Sequence, residues 1–258
     1  MSDSAHFTAA EFVAYSCARR GIRVADLGVA PTVVGVWSPA VAGYLAEQAG
    51  AVLQEHYQMF CPDVPLWTGS IAGQPVSFTR WRVGAPATVM QMEELIACGA
   101  RRFLGLGWAG SLQTAAPVGD LLVPEACIAE EGTSAHYRTD GDAPAGPDPA
   151  LAAALVAAAE AEGCPVHRGL HWSTDAIFRE VRSKVEAYRA RGAWGVDMES
   201  SAMFALGRFR GVGVANLLVV SDELWHNWRP AFQSDELRRA NRAAVAALLR
   251  ALANLPPG

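Results

Sequence analysis

The chain has 258 residues, with 21 Lys and Arg against 26 Asp and Glu and a formal net charge of −5. Half of the residues are apolar and 18% are charged, which excludes a disordered chain and suffices for the core of one large α/β domain over 1–258. The acidic balance speaks against a nucleic-acid or anionic-membrane partner, because both need a basic face, and turns attention to a small molecule.

Residues 31–37, rich in β-branched side chains and ended by Ser-Pro, read as a strand. Residues 75–83 alternate in character and read as a second strand, closed by Gly84, Ala85 and Pro86. Apolar residues at helical spacing over 87–98 predict a helix stopped by Gly99. A short strand over 102–107 then feeds a turn of small residues at 107–110. Strand, helix and strand at this spacing make a βαβ unit, so a largely parallel sheet covered on both faces is expected. Further on, 120–124 reads as a buried strand, 140–149 as an exposed loop, 151–162 as a helix and 166–172 as a strand. Helices are expected over 181–191 and 199–210, a fully buried strand over 215–220, and an amphipathic helix over 235–255.

The longest apolar stretch, 150–159, is half a membrane span and reads as an ordinary helix. The first residues carry no basic segment before an apolar run, so no signal peptide is expected. Cys17, Cys61, Cys98, Cys127 and Cys164 are odd in number and form no C-x-x-C, the pattern of reduced thiols in the cytoplasm. His167 and His171 would project from one side of a strand, well separated and with no third ligand nearby, so no metal site is expected.

In open α/β sheets ligands collect at the carboxyl ends of parallel strands. Segments 107–110, 173–180, 196–200 and 221–222 fall at such places. Asp222, emerging from a buried strand, suits a shielded general acid or, equally, a helix cap. Glu199 opens a helix of small residues, where the helix dipole alone would favour it. Ser173 and Ser221 lack the His and Asp partners of a hydrolase triad.

VDMESSAM at 196–203, the Ser221-Asp222 pair, GLGWAGSLQ at 105–113, VGDLLVP at 118–124 and STDAIF at 173–178 occur in the order found in the nucleoside phosphorylase and nucleosidase superfamily, which the chain resembles over most of its length. The resemblance implies a three-layer α/β/α fold with a central mixed, partly barrel-like sheet, assembled as a homo-oligomer, a dimer or hexamer. It also implies cleavage of the N-glycosidic bond of a nucleoside without metal or organic cofactor. On this reading Glu199 accepts hydrogens from the ribose 2′- and 3′-hydroxyls and Met198 packs on the sugar. Asp222 would be the acid acting at N7 of a purine; Ile177, Phe178 and Ser221 would shape the base site, and His6 would reach a neighbouring subunit's ribose. The chemistry is coherent: a carboxylate gripping the sugar hydroxyls stabilises an oxocarbenium-like transition state, and a proton at N7 is typically worth about 10²–10⁴-fold. The Gln that accompanies Arg in uridine-acting relatives is absent beside Arg179, which favours a purine.

The phosphate site departs from the family pattern. Phosphorylases carry G-D-P-x-R after the first strand, an Arg two residues before the second central Gly and a Ser or Thr after it; Trp37-Ser-Pro-Ala-Val41, Gly105 and Trp108 stand there instead. Three contributors to anion binding are missing, and Trp108, after Gly107, is a candidate to fill the vacated space. Hydrolysis is therefore expected ahead of phosphorolysis. The alternative is phosphate as co-substrate on a rebuilt site, with Arg80 and Arg82 on one side of a strand; solvent-facing arginines on an edge strand are the plainer reading. A non-catalytic nucleoside-binding module is the reading from a different class. Trp225, His226 and Trp228 would form a lid or an interface, with Arg229 placed to orient Asp222.

Overall fold

The computed structural model describes residues 5–61, 63–137 and 144–256, so residues 140–143 of the loop expected at 140–149 lie outside the described residues. The first half of the chain runs α1 (Ala9–Arg20), β1 (Thr32–Val36), α2 (Pro39–Gln48), β2 (Val52–Leu53), β3 (Leu66–Ile71), β4 (Gln74–Arg80), α3 (Ala85–Ala97) and β5 (Arg102–Ser111). The second runs β6 (Leu121–Ala129), α4 (Pro149–Ala161), β7 (Val166–Ser173), α5 (Arg182–Ala190), β8 (Gly195–Asp197), α6 (Ser200–Arg210), β9 (Gly213–Glu223), β10 (Arg229–Pro230) and α7 (Asp235–Asn254).

Local chemistry sets the helix starts. Thr8 and Glu11 form a reciprocal capping box on α1, Asp148 accepts from the backbone N–H groups of Ala150 and Leu151 at α4, and Ser234 caps α7. Gly84, at φ 98°, turns the chain into α3.

The strands form one mixed sheet in the order β10-β9-β6-β7-β8-β5-β1-β4-β3-β2, and β9 also pairs with β5. Strands β5, β9, β6, β7 and β8 therefore close on themselves as a barrel, while β1, β4, β3 and β2 extend from β5 as an open wing. The closing contact runs parallel from Arg102 beside Gly213 to Ala109 beside Val220 and continues, past a bulge, to Gly110 beside Asp222.

Period-two alternation sorts side chains to the two faces. Val33, Phe103 and Val214 join α1, α3 and α6 in one core, whereas Val34, Leu104, Leu106, Leu217 and Val219 join α2, α4 and α7 in the other. Helix α6 is buried from Ser200 to Gly207, which explains its small residues.

Three expectations are corrected here. Residues 107–110 are not a turn but part of β5, and Asp222 lies within β9, not beyond it. The small residues that read as turn signals serve close approach: a Cβ at Gly105 would stand 2.2 Å from Asn216 Oδ1, and one at Gly110 would stand 2.3 Å from Leu224. Strand β4 ends at Arg80 and lies between β1 and β3, so it is not an edge strand.

Candidate active site

A cavity of about 800 Å³ opens where the carboxyl ends of β1 and β5 meet β8, β9 and the loops that follow. Most of its wall is apolar, and its described lining residues include the acids Glu180, Asp197, Glu199 and Asp222 but no Lys, Arg or His. Sequence distant by a hundred residues converges here because β5 sits between β1 and β8 while also pairing with β9.

Glu199 stands at the head of α6 and is buried. Its Oε1 accepts from the Gly84 N–H at 2.6 Å and its Oε2 from the Met198 N–H at 3.2 Å. Burial and the charge of Asp197 push its pKa up to about 8, against the opposing pull of the Gly84 and Met198 amides and the Trp37 indole. Asp197 is the post beneath it. Burial pushes Asp197 up, but His171, with Nε2 at 3.6 Å, and the hydroxyls of Ser173 and Ser200 hold it below the usual carboxylate range. Ser173 Oγ donates to Asp197 at 2.6 Å, and the Glu199 and Ser200 amides donate at 3.3 and 3.2 Å, which fixes the start of α6.

Asp222 accepts from Trp228 Nε1 at 2.9 Å and from Ser221 Oγ at 2.7 Å. The loop after β9 thus touches the acid through Trp228, while Arg229 does not orient Asp222: its Nη1 binds Glu223 at 2.6 Å. Met198, Ile177, Phe178 and Ser221 all line the cavity, with Phe178 at its mouth and 96% exposed. Glu180 was missed by the sequence reading. The residues from Asp175 to Arg179 are exposed, but Glu180 turns in to the wall, and burial together with the charges of Asp222 and Glu130 pushes it up to about 7.

The other expected groups are placed differently. Arg80 and Arg82 do not line the cavity. Arg82 lies past the end of β4, so the two-residue spacing no longer sets its direction, and it pairs with Asp63, whose carboxylate also lies 3.9 Å from Arg80. His6 is exposed ahead of α1 and does not line the cavity of its own chain. His167 binds Asp120 at 2.7 Å and stacks on Trp194.

Trp108 lines the wall beside Gly107 but is drawn toward α7, where its N–H donates to Asn241 Oδ1 at 2.9 Å and its ring packs 5.9 Å from Phe232. The indole on the cavity floor is Trp37: a Cβ at Gly107 would stand 2.7 Å from its ring, and one at Gly105 would stand 3.4 Å away.

Comparison with known proteins decides the family. Residues 34–253 match the family model described as the phosphorylase superfamily. The chain belongs to the phosphorylase superfamily. A guanosine phosphorylase of Halorubrum lacusprofundi is 31% identical over 186 residues, 72% of this chain and 77% of the relative. A uridine phosphorylase of Thermococcus kodakarensis is 31% identical over 158 residues, which span 56% of this chain and 57% of the relative. Among solved structures, a uridine phosphorylase of Vibrio fischeri matches with TM-score 0.76 and 25% identity over 88% of this chain and 92% of its own. A purine nucleoside phosphorylase of Toxoplasma gondii matches with TM-score 0.79 at 24% identity, over 90% and 93% of the two chains, a likeness of fold.

The closed barrel with a flanking wing is therefore the fold of the phosphorylase superfamily. Trp37 stands in the turn that breaks from the superfamily's G-D-P-x-R pattern, and only the fold sets it over Gly105 and Gly107 of β5. Glu180 had no sequence signal either, because a lone acid after an aromatic pair does not tell which way it turns.

Proposed function

We propose that the protein hydrolyses the N-glycosidic bond of a purine nucleoside, using water as acceptor. The observation that carries this reading is the cavity's charge: carboxylic acids line it, no basic side chain among the described residues does, and an indole covers its glycine floor. A phosphate dianion there would meet like charge with nothing to offset it. Water carries no such penalty.

In this reading Glu199 as carboxylate grips the ribose diol and Met198 lies on the sugar. Asp222 protonates N7, the C1′–N9 bond breaks with its electron pair leaving on the purine, and water attacks C1′. The proton water releases restores the acid. Glu180, beside Asp222, is pushed up to about 7 and so is a second proton-bearing acid of the base wall below neutral pH. An exposed apolar set on and near α1, including Tyr15 and Phe60, supports self-association, with His6 close to it in sequence. Among the described residues no helix is long and apolar enough to cross a membrane.

Phosphorolysis is the second reading, favoured by the names of the relatives. The test is incubation with adenosine, inosine, guanosine and uridine, with and without phosphate, following free base and sugar by chromatography. The expected result is purine release without phosphate, with free ribose as the sugar product. Release that requires phosphate and yields ribose 1-phosphate overturns the proposal.

A further inference from the structure

Trp37 occupies a defined position relative to the two functional acids. Asp222 lies beside Gly110 of β5, where a Cβ at Gly110 would stand 3.4 Å from its Oδ2. Trp37 lies over Gly105 and Gly107 of the same strand. Gly107 and Gly110 are separated by three steps along a strand, about 10 Å. Trp37 and Glu199 line the same cavity. Asp222 thus stands at the Gly110 end of β5 and Trp37 at the Gly105–Gly107 end, so a sugar held by Glu199 between them with its base toward Asp222 would have the indole at the opposite end. In a displacement at C1′ the incoming oxygen approaches the face opposite the departing base.

From this placement we propose that Trp37 selects the acceptor: its indole fills the approach face of C1′ and admits water while excluding larger oxygen nucleophiles. The inference rests on the hydrolytic reading and deepens it. Gly105 and Gly107 are part of the device, because a Cβ at 107 would stand 2.7 Å from the ring and displace it. The indole N–H is buried with no hydrogen-bond partner among the described residues, so the ring is held by its fit to the floor. The step it governs is balanced for any acceptor: the C1′–N9 pair leaves on the purine, which takes a proton from Asp222, while the acceptor oxygen bonds to C1′ and gives up its own proton, which restores the acid.

The test uses the full chain and competing acceptors. Wild type, Trp37→Phe and Trp37→Ala are incubated with the preferred nucleoside in aqueous methanol, and the ratio of methyl riboside to free ribose is measured. This ratio does not depend on the overall rate. Trp37→Ala is expected to raise it about tenfold or more over wild type, and Trp37→Phe to stay near wild type. Gly107→Ala, which displaces the ring without removing it, is expected to move the ratio in the same direction as Trp37→Ala. An unchanged ratio in both Trp37→Ala and Gly107→Ala overturns the proposal and leaves hydrolysis standing.

Ribose 1-phosphate formed by the wild type in phosphate buffer overturns both. A second measurement needs no turnover: binding of formycin, whose C-glycosidic bond resists cleavage, is titrated with and without phosphate. Phosphate should leave affinity unchanged in wild type and in Trp37→Ala alike, because the lining acids remain and no basic side chain among the described residues offsets a dianion; phosphate-strengthened binding in the wild type overturns the proposal even if no nucleoside is turned over.

Discussion

Glu199 carries a conflict within the proposed reaction. Burial beside Asp197 pushes its pKa up to about 8, yet the proposed grip on the ribose diol requires the carboxylate. Below that pH the empty site holds the proton, so kcat/KM is expected to rise with pH and level off above about 8. Glu199→Gln should remove this limb and lower kcat/KM by roughly 10²–10³-fold, read from initial rates across pH. The same residue links pH to stability. Its folded pKa lies above the ordinary glutamate value of about 4.5, so between about 4.5 and 8 the native state keeps a proton that the unfolded chain has lost, and stability falls as pH rises through that window. Glu199→Gln is therefore expected to melt above the wild type in alkaline buffer, a stabilising substitution that costs function. The motif over 196–203 and its resemblance to the superfamily singled out Glu199 and Met198; the helix start alone did not. That Asp197 underpins them was not legible, because its partners Ser173 and Ser200 belong to β7 and α6.

Among elements, α3 matches its sequence expectation closely, since helical apolar spacing survives whatever packs against it. Its one anomaly is Glu94, 3% exposed in an apolar stretch, accepting from the Phe60 N–H at 3.0 Å. Burial pushes it up to about 7, against that amide. Glu94→Gln keeps an acceptor for Phe60 and removes the charge. It should raise Tm by roughly 2–4 °C near pH 8 and leave it unchanged near pH 4, where both states carry the proton; thermal melts at the two pH values decide it. Strand β5 shows the opposite case. Its glycines look like turn residues, yet the strand runs on to Ser111, because β9 on one side and Trp37 above both need space where side chains would stand. Arg80 and Arg82 failed as a pair for a related reason: β4 ends at Arg80, and the exposed Asp63 draws both guanidiniums away from the cavity.

For the whole molecule, the closing contact of β9 on β5 decides everything at the site. It brings Asp222 beside Gly110 and leaves β1 free to lay Trp37 across the same strand. Leu217, fully buried in β9, belongs to the core that this closure shares with α2, α4 and α7. Leu217→Ala should cost about 2–5 kcal/mol, measured by denaturant unfolding, through the cavity it leaves in a layer that cannot collapse inward. The sequence by itself determined the α/β class, most helices and strands and the family, and it singled out Glu199 and Asp222 as candidate acids, since these follow from short-range periodicity and from ordered local motifs. Barrel closure, the burial of Glu180 in the wall, the choice of Trp37 over Trp108 as the indole on the floor and the lack of a basic side chain among the described lining residues were decided only by the tertiary structure. Each depends on which strands become neighbours, and pairing across a hundred residues leaves no periodic trace in the chain.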